Sequence, residues 1–398
     1  MKIYEIGTGY TSIPAQMGAA TEIVVEELTR SFIKLNKNVE IIDISDENRV
    51  ENDLPITEVK VPFVFTKSDV SLGIMHKLKR VMYSVALAQK LRKILENSKE
   101  ETVLHFHNQY NLFFFLNLVP EKYRKKAKIA YTVHSYIWHG EWHEIENTVK
   151  KRYFQEVHCL KNADLVFVLN EQTKANLIEY LGIETKKIIL INNGVNTSVY
   201  SPLSDEKGLI KERYKLKNKK VFIQVGSVCD RKNQLMSVKL LSSLMKRNEN
   251  ICFCYAGGVI SEEYQQSIID YAEKKGIKNQ VIYFGELKPG MELNDFYNLA
   301  DAMIFPSKAE GFSLVILEAM STGTPVIIDE NLKFDLSEKC LRFKDESDFL
   351  NIINKQILNE SEQKKLSEEV RKIIVSEFSW DKIADTYFSS FRKYIEND

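Results

Sequence analysis

Net charge is the first thing missing from this 398-residue chain: Lys+Arg and Asp+Glu both total 55. Such a balance offers no global electrostatic reason to bind nucleic acid, and no nucleic-acid partner is expected. Cysteine is scarce. The five residues, Cys159, Cys229, Cys252, Cys254 and Cys340, contain no C-x-x-C pair, which argues against a cysteine zinc site. Cys252 and Cys254 lie in an apolar run and are expected to be small buried hydrophobes. Long hydrophobic runs are absent too. The stretch Leu112 to Leu118 is far short of the roughly 20 residues that span a bilayer. The amino-terminal residues read as a strand entering a glycine turn, without a signal-peptide apolar region, so a cytoplasmic protein is expected. Gly7-Thr8-Gly9 is not continued into G-x-G-x-x-G, which removes the main argument for a dinucleotide cofactor.

What is present is alternation. Apolar strand-like runs alternate with amphipathic stretches almost throughout, the pattern of α/β domains built on parallel sheets. One series runs from Lys2–Ile6 to Ile188–Ile191, and a second starts afresh at Lys220. Between them Asn192-Asn193-Gly194-Val195-Asn196, followed by Pro202, forms a turn-rich seam. The expected organisation is a first domain over residues 1–197 and a second over 198–379. The final helix, residues 380–398, with Ile383, Tyr387, Phe388 and Phe391 on one face, is expected to join the first domain.

In open parallel sheets, ligands collect beyond the carboxyl ends of strands. The most informative strand end is Phe305-Pro306-Ser307-Lys308-Ala309-Glu310-Gly311-Phe312-Ser313, followed by the helix-like Leu314-Val315-Ile316-Leu317-Glu318. Free amides at that helix start suit an anion such as a diphosphate. Glu310 and Glu318 suit sugar hydroxyls, which carboxylates accept in charge-assisted hydrogen bonds. A second strand end, Gly226-Ser227-Val228-Cys229-Asp230-Arg231-Lys232, carries two cations after a glycine, well placed for phosphate. In the first series, Gly18-Ala19 opens a helix with small residues, and His134 closes the strand Ala127–Val133. His105 and His107 are spaced i, i+2 on a strand and share a face. With no third Cys, Asp or His nearby in sequence they are too few for a metal site, and His139 with His143 fits no zinc pattern. No metal and no other cofactor are expected.

These residues resemble retaining glycosyltransferase family 4. Glu310-Gly-Phe-Ser-Leu-Val-Ile-Leu-Glu318-Ala-Met is similar to that family's E-x7-E signature, and Gly323-Thr324-Pro325-Val326 follows it. Ala163-Asp164-Leu165-Val166, Asn193-Gly194-Val195-Asn196 and Phe378-Ser379-Trp380 match other recurrent positions. The resemblance implies a GT-B fold, two Rossmann-like domains facing each other across a cleft. It implies that Glu310 holds hydroxyls of the donor sugar and Glu318 those of the ribose. Amides of Phe312 to Val315, beside Gly311, would meet the sugar and diphosphate. Lys232 with Arg231, after Gly226, would neutralise the departing diphosphate. Gly18 and Ala19 would admit the phosphate closely, His134 would lie near the reacting sugar, and Phe284 to Leu287 would border the base. No Asp-x-Asp pair occurs, so metal independence is implied. Two departures stand out: Ser227 occupies a position where the family commonly has Arg, and Gly18-Ala19 replaces paired glycines.

The implied activity is retaining transfer of a hexose or N-acetylhexosamine from a nucleotide-diphosphate sugar, UDP foremost. The implied acceptor is a glycan or lipid-linked species of a cell-envelope or capsular polysaccharide. Two alternatives remain open: a non-catalytic nucleotide-sugar-binding partner subunit, and a nucleotide-sugar epimerase. On the acceptor side, residues 67–128 hold 13 Lys+Arg against 5 Asp+Glu, a local net charge of +8. Leu72, Met75, Leu78, Met82, Val85 and Ala86 form a stripe there, with Lys77, Lys79 and Arg80 close by. The segment reads either as a core-facing helix with a solvated basic side or as a peripheral contact with an anionic inner membrane face.

Overall fold

A computed structural model describes residues 1–15, 20–62, 74–139, 153–203, 207–308, 310, 313–332 and 336–397. The chain divides into two compact units, Met1–Asn193 with Trp380–Asp398, and Gly194–Ser379. The division falls four residues before the seam expected at 197/198.

The first unit is built on a seven-stranded parallel sheet of order β3-β2-β1-β4-β5-β6-β7. Its strands are β1 Lys2–Ile6, β2 Val39–Ile44, β3 Ile56–Val59, β4 Thr102–Phe106, β5 Ala127–Thr132, β6 Leu165–Val168 and β7 Ile188–Leu190. The central strands read as apolar runs because helices cover both faces of the sheet. β4 is buried at every position, and that includes His105. β3 was not recognised in the sequence, since Ile56-Thr57-Glu58-Val59 is short, half-exposed at the sheet edge and half polar.

The second unit carries a six-stranded parallel sheet of order β10-β9-β8-β11-β12-β13. Its strands are β8 Lys220–Val225, β9 Ile251–Ala256, β10 Val281–Tyr283, β11 Ala302–Phe305, β12 Val326–Asp329 and β13 Leu341–Phe343. Cys252 and Cys254 are buried in β9, as expected of small hydrophobes. In each sheet the strand order reverses once, at β1/β4 and at β8/β11. That crossover leaves a crevice at the carboxyl edge, where ligands of such folds collect. The fold is α/β, with two Rossmann-like parallel-sheet domains.

The last helix, Trp380–Asn397, packs on the first unit. Tyr387 and Phe391 are buried, with the Tyr387 ring 4.5 Å from Phe167 and 5.2 Å from His105. No described helix is long and apolar enough to cross a membrane.

The helix Ile74–Asn97 corrects one reading of the apolar stripe. Its core face is Tyr83, Leu87, Leu91 and Leu95, together with Lys79, which is 3% exposed and donates to the Tyr10 carbonyl. Of the expected stripe, Leu78 and Met82 are exposed and Val85 and Ala86 half-buried, and of these four Ala86 alone packs against the core. The mismatch arises because Lys79 runs its apolar stem inward and satisfies its ammonium on backbone. Leu72 and the side chain of Met75 lie outside what is described.

Candidate active site

The loops after β8 and β11 come together because those strands are neighbours in the sheet. Lys308 N–H donates to the Arg231 carbonyl at 2.9 Å, and the Asn233 side chain donates to the Pro306 carbonyl at 3.2 Å. Gly226 opens the first loop at φ 145°, and a Cβ there would sit 3.3 Å from the Lys232 side chain. Its lack of a side chain lets Lys232 fold back under the loop. Behind it, a Cβ on Gly257, at φ 144°, would lie 2.1 Å from the Gly226 carbonyl oxygen. Gly226 therefore needs glycine for its backbone conformation, and Gly257 on conformational and steric grounds alike.

Glu310 is the focus of this pair of loops. One carboxylate oxygen accepts from Lys232 Nζ at 2.6 Å, Arg231 Nη1 at 3.0 Å and Ser307 Oγ at 2.6 Å. The Glu310 and Lys232 side chains are 9% and 12% exposed, whereas Arg231 is 53% exposed. Burial lowers the Lys232 ammonium pKa, and the Glu310 carboxylate pulls the other way. Lys232 is held at its base too, where Gln224 donates to its carbonyl at 2.6 Å and is itself fixed by Ser237. Ser307 had no role in the sequence reading. A hydroxyl three residues before the key carboxylate carries little signal by itself.

The helix Leu314–Ser321 begins just beyond, with Ser313 at its N-cap making no side-chain capping bond. The leading amides of a helix have no intrahelical acceptor, and those of Leu314 and Val315 have none among the described residues, which suits an anion. Further along, Glu318 is half-buried and accepts from the Tyr297 hydroxyl at 2.7 Å. Tyr297 is fully buried. Its phenol pKa is driven well up, first by burial and then by Glu318, so it stays a donor. Glu318 is thus anchored rather than a free surface carboxylate.

Other expected site residues behave differently. The Phe284 ring packs 4.9 Å from Phe296 and 5.2 Å from Tyr214, and Leu287 is half-buried against the same core. No described contact joins either of them to Glu310 or Lys232. Gly311, Phe312, Gly18, Ala19 and His143 lie outside the described residues.

In the first unit, the crossover strands β1 and β4 bring together residues about a hundred positions apart. Glu5 pairs in register with His105, so both side chains fall on one face. The Glu5 carboxylate contacts His105 Nδ1 through one oxygen at 3.0 Å and His107 Nε2 through the other at 2.8 Å. His105 Nε2 lies 2.7 Å from the Thr132 hydroxyl, and His107 Nδ1 lies 3.1 Å from His134 Nε2. Glu5, His105 and His107 are completely or almost completely buried. The sequence reading found two histidines and no third partner. The partner is Glu5, a lone acid in an apolar strand, invisible to spacing because it arrives by sheet pairing. Their ligand atoms lie within 4.8 Å of one another, close enough for a cation. In this structure, however, both carboxylate oxygens and all four ring nitrogens are taken up in hydrogen bonds.

Burial works against the Glu5 charge, but the two imidazoles outweigh it and hold its carboxyl at about 2. Burial and the neighbouring His105 lower His107 to about 4. Burial and His107 push His134 well below the usual histidine range.

Residues 206–333 match the family described as "Glycosyl transferases group 1", and residues 21–199 match "Glycosyltransferase Family 4". The chain belongs to this group of glycosyltransferases, the enzymes of the two-domain GT-B architecture. Among its relatives, mannosylfructose-phosphate synthase of Agrobacterium fabrum is 26% identical over 191 residues, 46% of this chain and 42% of that protein. A D-inositol 3-phosphate glycosyltransferase of Corynebacterium aurimucosum is 28% identical over 43% of this chain and 42% of its own length. The match thus spans less than half of either relative. It is broader to an Escherichia coli UDP-Gal:alpha-D-GlcNAc-diphosphoundecaprenol alpha-1,3-galactosyltransferase, 23% identical over 75% of this chain and 77% of that one. Among solved structures, sucrose-phosphate synthase from Thermosynechococcus elongatus covers both chains completely, with a TM-score of 0.75 at 19% identity. HepE of Anabaena, in complex with UDP and glucose, gives 0.72 at 14% identity over 99% of this chain and 100% of its own.

Proposed function

We propose that this protein transfers a hexose or N-acetylhexosamine, with retention at the anomeric carbon, from a nucleotide-diphosphate sugar to a glycan or lipid-linked acceptor. The observation that carries the proposal is the convergence of Lys232, Arg231 and Ser307 on Glu310 beside an uncapped helix start. Two cations and free amides are a site for a diphosphate, and a buried carboxylate beside them is a site for sugar hydroxyls. Both cations contact Glu310. Donor binding would move Lys232 and Arg231 onto the diphosphate and free Glu310 to accept from the sugar. As the sugar–phosphate bond breaks, charge develops on the leaving phosphate, where Lys232 and the helix amides would stabilise it. The protein supplies these cations itself, so the scheme requires no metal. Glu318, anchored by Tyr297, is assigned to the ribose hydroxyls.

UDP is the favoured carrier, on the strength of the UDP-Gal-dependent relative and of the UDP complex of HepE. A lipid-linked acceptor on the cytoplasmic membrane face agrees with the first unit, where exposed Leu78, Val81 and Met82 adjoin the exposed Lys77. Arg231 supplies a second cation despite Ser227, which favours catalysis over a binding-only subunit. The deciding experiment incubates the purified chain with UDP-, GDP- and ADP-sugars and acceptor, following nucleotide release and thermal stability together. Bound donor at about a hundred times its Kd should stabilise by about 2.7 kcal/mol. Stabilisation without nucleotide release would establish the binding-only reading instead.

A further inference from the structure

We propose that Glu5 and His107 are positioning residues that hold His134 as the Nε2–H tautomer, so that its bare Nδ1 accepts a hydrogen bond from a substrate hydroxyl. The hydroxyl contact rests on the function proposed above; the tautomer does not. The argument is a count of protons along one line of contacts. A carboxylate has only acceptors to offer. Glu5 is a fully buried carboxylate, and its contact with His107 at 2.8 Å therefore requires the proton to sit on His107 Nε2. A neutral imidazole carries one proton, so His107 Nδ1 is an acceptor. The only described group facing it is His134 Nε2 at 3.1 Å, which must donate. The two rings lie nearly parallel, 30° apart with centroids 5.3 Å from each other. One proton is again the complement of a neutral ring, and His134 Nδ1 is left bare, without a partner among the described residues. The reverse arrangement would put two protons on His107, and burial resists that charge.

His105 and Thr132 form a separate arm on the other carboxylate oxygen, continued by the Tyr387 hydroxyl 3.3 Å from Thr132. That arm does not touch His134, and it provides an internal control.

The test uses the full chain labelled with 15N-histidine, observed by long-range 1H–15N correlation at pH 7. His134 should show a protonated Nε2 and a bare Nδ1. In Glu5→Gln the amide can present either its oxygen or its NH2 to His107, so His134 should become a mixture of tautomers. Thr132→Val should leave the His134 signals unchanged. Thermal melts of both variants establish that they fold. Turnover of a nucleotide-sugar by Glu5→Gln should drop roughly tenfold in kcat, the scale of one weakened hydrogen bond to a charged network, with little change in donor KM. A His134 protonated on Nδ1 in the parent protein would overturn the proposal. So would an unchanged tautomer in Glu5→Gln, or equal scrambling in Thr132→Val. A scrambled tautomer with undiminished kcat would sink the substrate contact alone. Absence of turnover in the parent protein would instead reject the proposed function.

Discussion

Glu310→Gln should have opposite effects on the nucleotide product and on the nucleotide-sugar. The substitution keeps the shape of the side chain and removes its charge. At present that charge occupies both cations of the site, through contacts of 2.6 Å to Lys232 and 3.0 Å to Arg231. A diphosphate arriving there must compete with an internal anion. Hydrogen bonds to charged groups are worth about 1.5–3 kcal/mol, and the bond to half-exposed Arg231 belongs at or below the low end of that range. Loss of the competitor should therefore tighten binding of free UDP by roughly tenfold, corresponding to about 1.4 kcal/mol. The same change removes the acceptor for the sugar hydroxyls, so kcat/KM for the sugar donor should fall on the order of a hundredfold. Isothermal titration with UDP, and with GDP and ADP in parallel, measures the first effect; initial-rate kinetics measure the second. If UDP affinity falls together with turnover, Glu310 does not compete for the cations and the displacement scheme is wrong. If neither changes, the site lies elsewhere.

Three further outcomes are expected. Lys232→Met should lower kcat/KM by about a hundred- to a thousandfold, the scale seen when one stabiliser of developing charge is lost; full turnover would remove Lys232 from the site. It should also cost stability, though less than an isolated buried pair would, because Arg231 and Ser307 still meet Glu310, and differential scanning calorimetry reads that cost. Tyr297→Phe deletes the 2.7 Å bond to Glu318 and should raise donor KM more than it lowers kcat, roughly tenfold, in steady-state assays. Urea melts should show stability falling as pH drops from 6.5 toward 4. In that window the unfolded chain protonates its histidines while His107, held near 4 in the fold, does not, a loss on the order of 3 kcal/mol. Glu5, held at about 2 against an ordinary 4.5, extends the loss below pH 4.5. His107→Gln should flatten the first part of the curve, and a stability that rose on acidification would contradict both assignments.

The order of elements was legible because a buried strand and an amphipathic helix leave different periodicities in a chain. Two of the four edge strands escaped notice: β3 and β13 are only four and three residues long and partly polar, too short to leave a periodicity. The helix Ile74–Asn97 misled because Lys79 is buried through its stem while Leu78 and Met82 are exposed, which no hydropathy pattern encodes. Phe284, which the resemblance puts beside the base, also packs its half-buried ring on Phe296 and Tyr214, contacts that no local pattern shows.

By itself the sequence determined two successive α/β units, the glycosyltransferase resemblance and the strand ends that carry Lys232, Glu310 and Glu318. Those are local properties, set by residues within a dozen positions of one another. Only the tertiary structure decided the partnerships. Lys232 and Glu310 are 78 positions apart, and Glu5 and His107 are 102 apart. Each pair meets where a parallel sheet reverses its strand order. Sheet register is fixed by burial along the whole strand, so which charge faces which ring is a consequence of the assembled core.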